Sequence, residues 1–142
     1  MKKLALFILT LIILSSCKKD VFFNDNYSFL YGNWTPTQLS AGLNYNADPR
    51  SIGDIVQFFN DGSYKIIKKD YVVESGRINI EVQTEDKLTL SFVPSEIDFS
   101  DDSFIRLSRS SLIVTIFTND SISLGNLATD GGYFGLWLTK KE

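Results

Sequence analysis

The 142-residue chain predicts an all-β domain: an up-and-down antiparallel barrel of about eight short strands, with a β-sandwich as the alternative. Three observations point there. Eleven Phe, six Tyr and two Trp stand among many Ile and Val, residue types that suit a pleated, half-buried surface. Beyond residue 20 no stretch keeps a helical period for long. Instead, short runs alternate apolar with polar residues and are separated by turn signals.

The chain opens on a leader rather than on the domain. Lys2 and Lys3 precede an apolar run from Leu4 to Leu14, interrupted by Thr10, and Ser15, Ser16 and Cys17 follow. A positive start, a short apolar stretch and small residues at a cut site are the layout of a secretory signal peptide. The run is shorter than the roughly 20 residues that a membrane span needs. Leu14-Ser15-Ser16-Cys17 resembles the lipobox of bacterial lipoproteins. That resemblance implies cleavage before Cys17 and a diacylglycerol on its thiol, with palmitate-type acyl chains as the membrane anchor. Cys17 is the only cysteine, so no intramolecular disulfide is available and the fold must stand on its core. The three expected segments are a signal peptide over 1–16, a lipidated cysteine and tether over 17–28, and the β domain over 29–142. Lys18-Lys19-Asp20 places no aspartate beside the cysteine, so the expected location is the outer membrane of the cell envelope. Of the 14 basic residues two leave with the leader, and the 12 that remain face 17 acidic ones, a net of −5. Nucleic acid is therefore not an expected partner, because its binding rests on Lys and Arg neutralising phosphates.

Lys18 to Ser28 is polar, with Val21, Phe22 and Phe23 able to dock at the near end of the domain. A first strand is expected at Tyr31 to Leu39. The clearest element is a hairpin: Ile55 to Phe59, the loop Asn60-Asp61-Gly62 with Gly in the left-handed position, then Ser63 to Lys68. This register pairs Phe58 with Tyr64, Val56 with Ile66 and Asp54 with Lys68, and leaves Gln57 opposite Lys65. A two-residue loop at Asp61-Gly62 would pair Phe58 with Lys65 and mix the two faces, since a one-residue slip inverts every side chain. Ile78, Ile80 and Val82 then alternate with polar neighbours, as do Leu88, Leu90 and Phe92, across a turn at Gln83 to Asp86. Ile105 and Leu107 read as a strand before a tight Ser110-Ser111 turn, followed by Leu112, Val114 and Ile116. Tyr133 to Lys140 is the last strand, after Gly131-Gly132. Short links favour a meander, and closing it removes exposed edges. Eight strands leave an interior that holds side chains or one small ligand.

These residues also resemble the lipocalin-like lipoproteins of Gram-negative bacteria. The resemblance lies in Gly32-Asn33-Trp34 on the first strand, in Val56-Gln57-Phe58-Phe59-Asn60-Asp61-Gly62-Ser63-Tyr64, in Glu74-Ser75-Gly76-Arg77-Ile78, and in the closing aromatic strand, most of residues 30 to 140. It implies a barrel that holds a small hydrophobic molecule. It also implies that Gly32 and Trp34 plug one end, with a late basic residue, Lys140 or Arg109, packed on the tryptophan. Thr129-Asp130 precedes Tyr133 without the full second signature of that family, and no C-terminal helix follows.

Catalytic chemistry is hard to find. Without histidine there is no Ser-His-Asp triad and no imidazole zinc site. Asp130-Gly131-Gly132 lacks the lysine of a phosphate loop. Glu96, Asp98, Asp101 and Asp102 offer oxygen ligands but not the spacing of a calcium loop, and read as a solvated acidic loop. Asp54 and Glu74 could serve as acid and base at a barrel mouth; the plainer reading makes them surface carboxylates beside lysines. No catalytic residue, metal or cofactor is expected. The expected function is a membrane-anchored, non-enzymatic lipoprotein whose barrel binds a small apolar or amphipathic ligand, with no residue singled out for that ligand. The alternative is a structural or interaction subunit with a filled barrel that docks an envelope protein through the loops Ser40 to Ser51 and Pro94 to Ser103.

Overall fold

The computed structural model describes residues 22–42, 44–98, 106–107, 111–126 and 133–142. Nine strands form one antiparallel sheet: β1 (Gly32–Gly42), β2 (Asn44–Ala47), β3 (Ile55–Phe58), β4 (Ser63–Lys68), β5 (Tyr71–Gln83), β6 (Leu88–Ile97), β7 (Leu112–Thr118), β8 (Ser121–Asn126) and β9 (Tyr133–Lys140). From β3 to β9 each strand pairs with the next. β1 pairs with β3 over Gly32 to Trp34 and with β9 from Trp34↔Lys140 to Gly42↔Tyr133. First and last strands therefore meet, and the sheet is a closed eight-stranded up-and-down barrel, not a sandwich. β2 is a short flap folded back on the far end of β1, with Leu39 opposite Ala47. Of the expected Ser40 to Ser51 loop, the first three residues belong to β1, Asn44–Ala47 form this flap and Pro49–Ser51 form a 3-10 turn.

The β3–β4 hairpin has the register that keeps its faces apart: Val56↔Ile66, Gln57↔Lys65, Phe58↔Tyr64. Gly62 closes it at φ 78°, a conformation that costs glycine nothing and other residues something. Val56, Phe58, Tyr64 and Ile66 are buried, and Lys65 is exposed.

The strand count of eight is reached with a different membership. Arg106 and Leu107 do not form a strand; Ile105 and Ser110 lie outside the described residues. Ser121–Asn126 supplies the missing strand, with Ile122 and Leu124 inward between Ser121, Ser123 and Gly125. Leu107 is nonetheless 1% exposed and belongs to the core. Two other residues depart from simple alternation. A register shift between Ile80 and Val82 turns Val82 out, and Ile116 runs past the barrel wall and is also exposed.

The core fills the barrel axis. Trp34, Val56, Tyr64, Ile66, Leu124 and Leu138 each have no surface open to water, inside or out, so nothing as large as a water molecule borders them. Residues 22–28, expected as the end of the tether, pack on this body. Phe23 is fully buried, and Tyr27 and Leu30 sit at 2% and 1% exposure within a 3-10 turn at Asp25–Leu30. The leader and Cys17 lie outside the described residues.

Candidate functional site

One end of the barrel is closed by the segment just ahead of β1. The Phe22 ring lies over Gly62 on the β3–β4 hairpin, where an added Cβ would meet it at 2.5 Å. The Tyr31 hydroxyl accepts from the Phe23 amide at 2.7 Å, and the two rings pack at 5.3 Å. Across the end, the Tyr27 hydroxyl donates to the Thr84 carbonyl at 2.7 Å on the β5–β6 turn. Burial raises the Tyr27 pKa, and the Asp86 charge adds to this. The strap thus spans the end from one hairpin to another.

Trp34 stands beneath it. Its Nε1 donates to the Leu30 carbonyl at 2.8 Å, tying strand to strap. Lys140, its register partner on β9, lies 5.6 Å from the centre of the indole and donates from Nζ to the Phe29 carbonyl at 2.6 Å. An added Cβ on Gly32, at φ 118°, would touch the Lys140 chain at 3.7 Å. The structure thus brings Gly32, Trp34 and Lys140 together at one end, with a cation over the indole face and a buried donor satisfied. Arg109, the other basic candidate, lies outside the described residues.

The second feature is polar and inside. Ile78 faces the core, and two-residue steps back along β5 bring Gly76 and then Glu74 inward. Glu74 lies opposite Ile66 on β4, towards the end that carries the long loops. It is 1% exposed. The Tyr64 hydroxyl donates to its Oε1 at 2.6 Å, and the Phe92 ring stands edge-on to Tyr64 at 5.0 Å. Glu74 Oε2 has no hydrogen-bond partner among the described residues. Burial pushes the Glu74 carboxyl above its ordinary range, against the lowering effects of the Tyr64 hydrogen bond and the Arg106 charge. Burial raises the Tyr64 phenol too, and its bond to Glu74 adds to this. Arg106 and the buried Leu107 lie between β6 and β7 in the chain, and the Arg106 charge is near enough to act on Glu74.

Glu74 is therefore not a surface carboxylate, and it does not share a site with Asp54. Asp54 is exposed, and its Oδ2 accepts from the Lys69 amide at 2.7 Å to close the β4–β5 turn. Glu96 is exposed, and Asp101 and Asp102 lie outside the described residues. Among the described residues no group of His, Cys, Asp and Glu is placed to hold a metal. Two surface clefts lie at the closed end: one of about 300 Å³ between the β5–β6 turn and β7, and one of about 460 Å³ beside Lys140 and Lys141. No described helix is long and apolar enough to cross a membrane.

No model of a known protein family matches this chain, and no curated protein matches it either. The fold defines the class: a small closed eight-stranded antiparallel barrel, compatible with a lipocalin-like ligand-binding domain.

Proposed function

We propose that the chain is a lipoprotein anchored through Cys17, expected at the outer membrane, whose barrel takes one small amphipathic ligand at its loop end. The observation that carries this reading is Glu74: an almost wholly buried carboxylate with one oxygen that has no partner among the described residues. Ligand sites in barrels are apolar spaces with a few convergent polar groups, and Glu74 with Tyr64 and Arg106 is such a group. A buried acceptor left open costs roughly 1–3 kcal/mol, a cost that a ligand donor would remove. The apolar part of the ligand would take the place that Leu107 now fills. The closed half of the barrel leaves no room for it, because its side chains fill the axis.

That filling favours a second reading, a non-enzymatic interaction subunit that uses the barrel as a rigid support. Native mass spectrometry of protein purified from its own host separates the two. The ligand reading expects a co-purifying small molecule that is lost in Glu74→Gln. A barrel that is empty in both, at its bare lipidated mass, refutes it in favour of the interaction subunit.

A further inference from the structure

We propose that the β7–β8 tip, with Phe117 and Ile116, is seated in a zwitterionic phospholipid surface. The inference rests on the anchor at Cys17. Five Cα steps separate Cys17 from Phe22, and a chain of that length spans at most about 18 Å. Phe22 is fixed to the β3–β4 hairpin at the closed end. The lipidated cysteine therefore holds the closed end, not the loop end, close to the bilayer.

The β7–β8 turn belongs to that same end, since the Lys140 amide donates to the Asp120 carbonyl at 2.9 Å beside Trp34. Here the wall is splayed. β6 pairs with β7 only from Leu88↔Val114 to Leu90↔Leu112, and beyond Val114 the two part around the 300 Å³ cleft. Ile113, Val114 and Ile116 line its β7 side. Phe117, 56% exposed, and Ile116, 40% exposed, project from this tip. Tyr71 and Val72 are exposed too, but β5 carries them to the far end, roughly 30 Å away.

The charge around the tip selects the lipid. Among the described residues, Asp25, Asp61, Glu85, Asp86, Asp120 and Glu142 are exposed at this end and outnumber the exposed Arg77, Lys87 and Lys141 and the half-buried Lys140. An anionic surface would repel them, whereas headgroups that carry an ammonium offer them partners. An exposed Phe beside an Ile gives the apolar contact of an interfacial anchor.

The test uses the full lipidated protein, whose own cysteine is blocked by lipid. A single new cysteine carries an environment-sensitive dye, at the tip in Asn119→Cys or at the far end in Tyr71→Cys. The protein is reconstituted in phosphatidylethanolamine–phosphatidylcholine vesicles with a shallow spin-labelled quencher, and the N-terminal mass is measured on the same sample. Quenching at 119 should exceed that at 71 by roughly threefold, as expected for a group within the headgroup layer. Phe117→Ser should remove most of the difference, and replacing part of the lipid with phosphatidylglycerol should weaken it. A lipidated Cys17 with equal quenching at both positions overturns the seating alone. Stronger quenching with phosphatidylglycerol overturns the assigned lipid chemistry. A bare Cys17 removes the anchor and the seating together.

Discussion

Replacing Trp34 with Phe measures what holds the closed end. Three losses follow from the geometry. The Nε1–H that meets the Leu30 carbonyl at 2.8 Å disappears, leaving a buried acceptor at a cost of about 1–3 kcal/mol. The smaller ring leaves space in a site with no surface open to water, at a cost of about 1 kcal/mol. The contact with Lys140 Nζ, 5.6 Å from the ring centre, weakens by about 0.5 kcal/mol. Together these come to roughly 2.5–4.5 kcal/mol, a large part of the 5–15 kcal/mol that holds such a domain together. With a urea slope of about 1.5 kcal/mol/M, the unfolding midpoint should fall by about 2 M. Far-UV circular dichroism follows the transition without depending on the lost chromophore. Lys140→Met and the double variant complete a cycle, in which the cation–ring contact should appear as a coupling of about 0.5–1 kcal/mol. A loss below about 1 kcal/mol, or two singles that simply add, would refute Trp34 as the element joining strap, first strand and last strand.

Gly76→Ala should be among the most damaging small substitutions, costing about 3 kcal/mol or more, because its Cβ would run into the Val93 carbonyl on β6; a urea midpoint within error of the parent's counts against that close approach. Glu74 should make stability fall as pH rises. Its folded pKa is raised, so its stabilising contribution is complete below the ordinary value of 4.5 and is lost as pH climbs through the raised one. Urea titrations from pH 4 to 8 should show this slope in the parent and a flatter profile in Glu74→Gln, and parallel profiles would show that the carboxyl is not buried as described. Cys17→Ala should leave an uncut or soluble chain, and a variant that still fractionates with membranes at the mature mass without lipid contradicts the anchor.

The parts of the fold legible in the sequence are those where a local rule acts alone. The β3–β4 register follows from Val56, Phe58, Tyr64 and Ile66 sharing a face around one glycine turn. The closure of β1 on β9 follows from edge economy in a meander, and it brings Lys140 to Trp34. The illegible parts are those where tertiary packing overrides alternation. Ile105 and Leu107 carry a strand pattern, yet Leu107 is placed by the barrel end rather than by a neighbouring strand. Ser121–Asn126 alternates as well, but serine and glycine on its outer face make it read as a loop. Glu74 was within reach of sequence reasoning: extending the phase of Ile78 back by four residues turns it inward. Its charge argued for the surface, and the register shift between Ser75 and Gly76 hides the continuity of the strand. The role of Phe23 and Tyr27 in the core has no periodic signal, because a 3-10 turn of six residues is too short to show one.

The pairing of the first strand with the last also governs how the chain can be made. A chain is made from its N-terminus, and here the strand made first waits for the one made last. Until Tyr133 to Lys140 arrives, β1 and β8 each present an unpaired edge, and Trp34 lacks Lys140. Closing so long a loop is entropically slow, and contacts this distant in sequence delay folding. The nascent barrel therefore passes through a period in which it can pair with the wrong strand, including one from a second copy. A chain cut short before β9 would not be a slightly weaker barrel but an open sheet with two adhesive sides. The C-terminal eight-residue strand is thus the step that turns an aggregation-prone ribbon into a discrete domain.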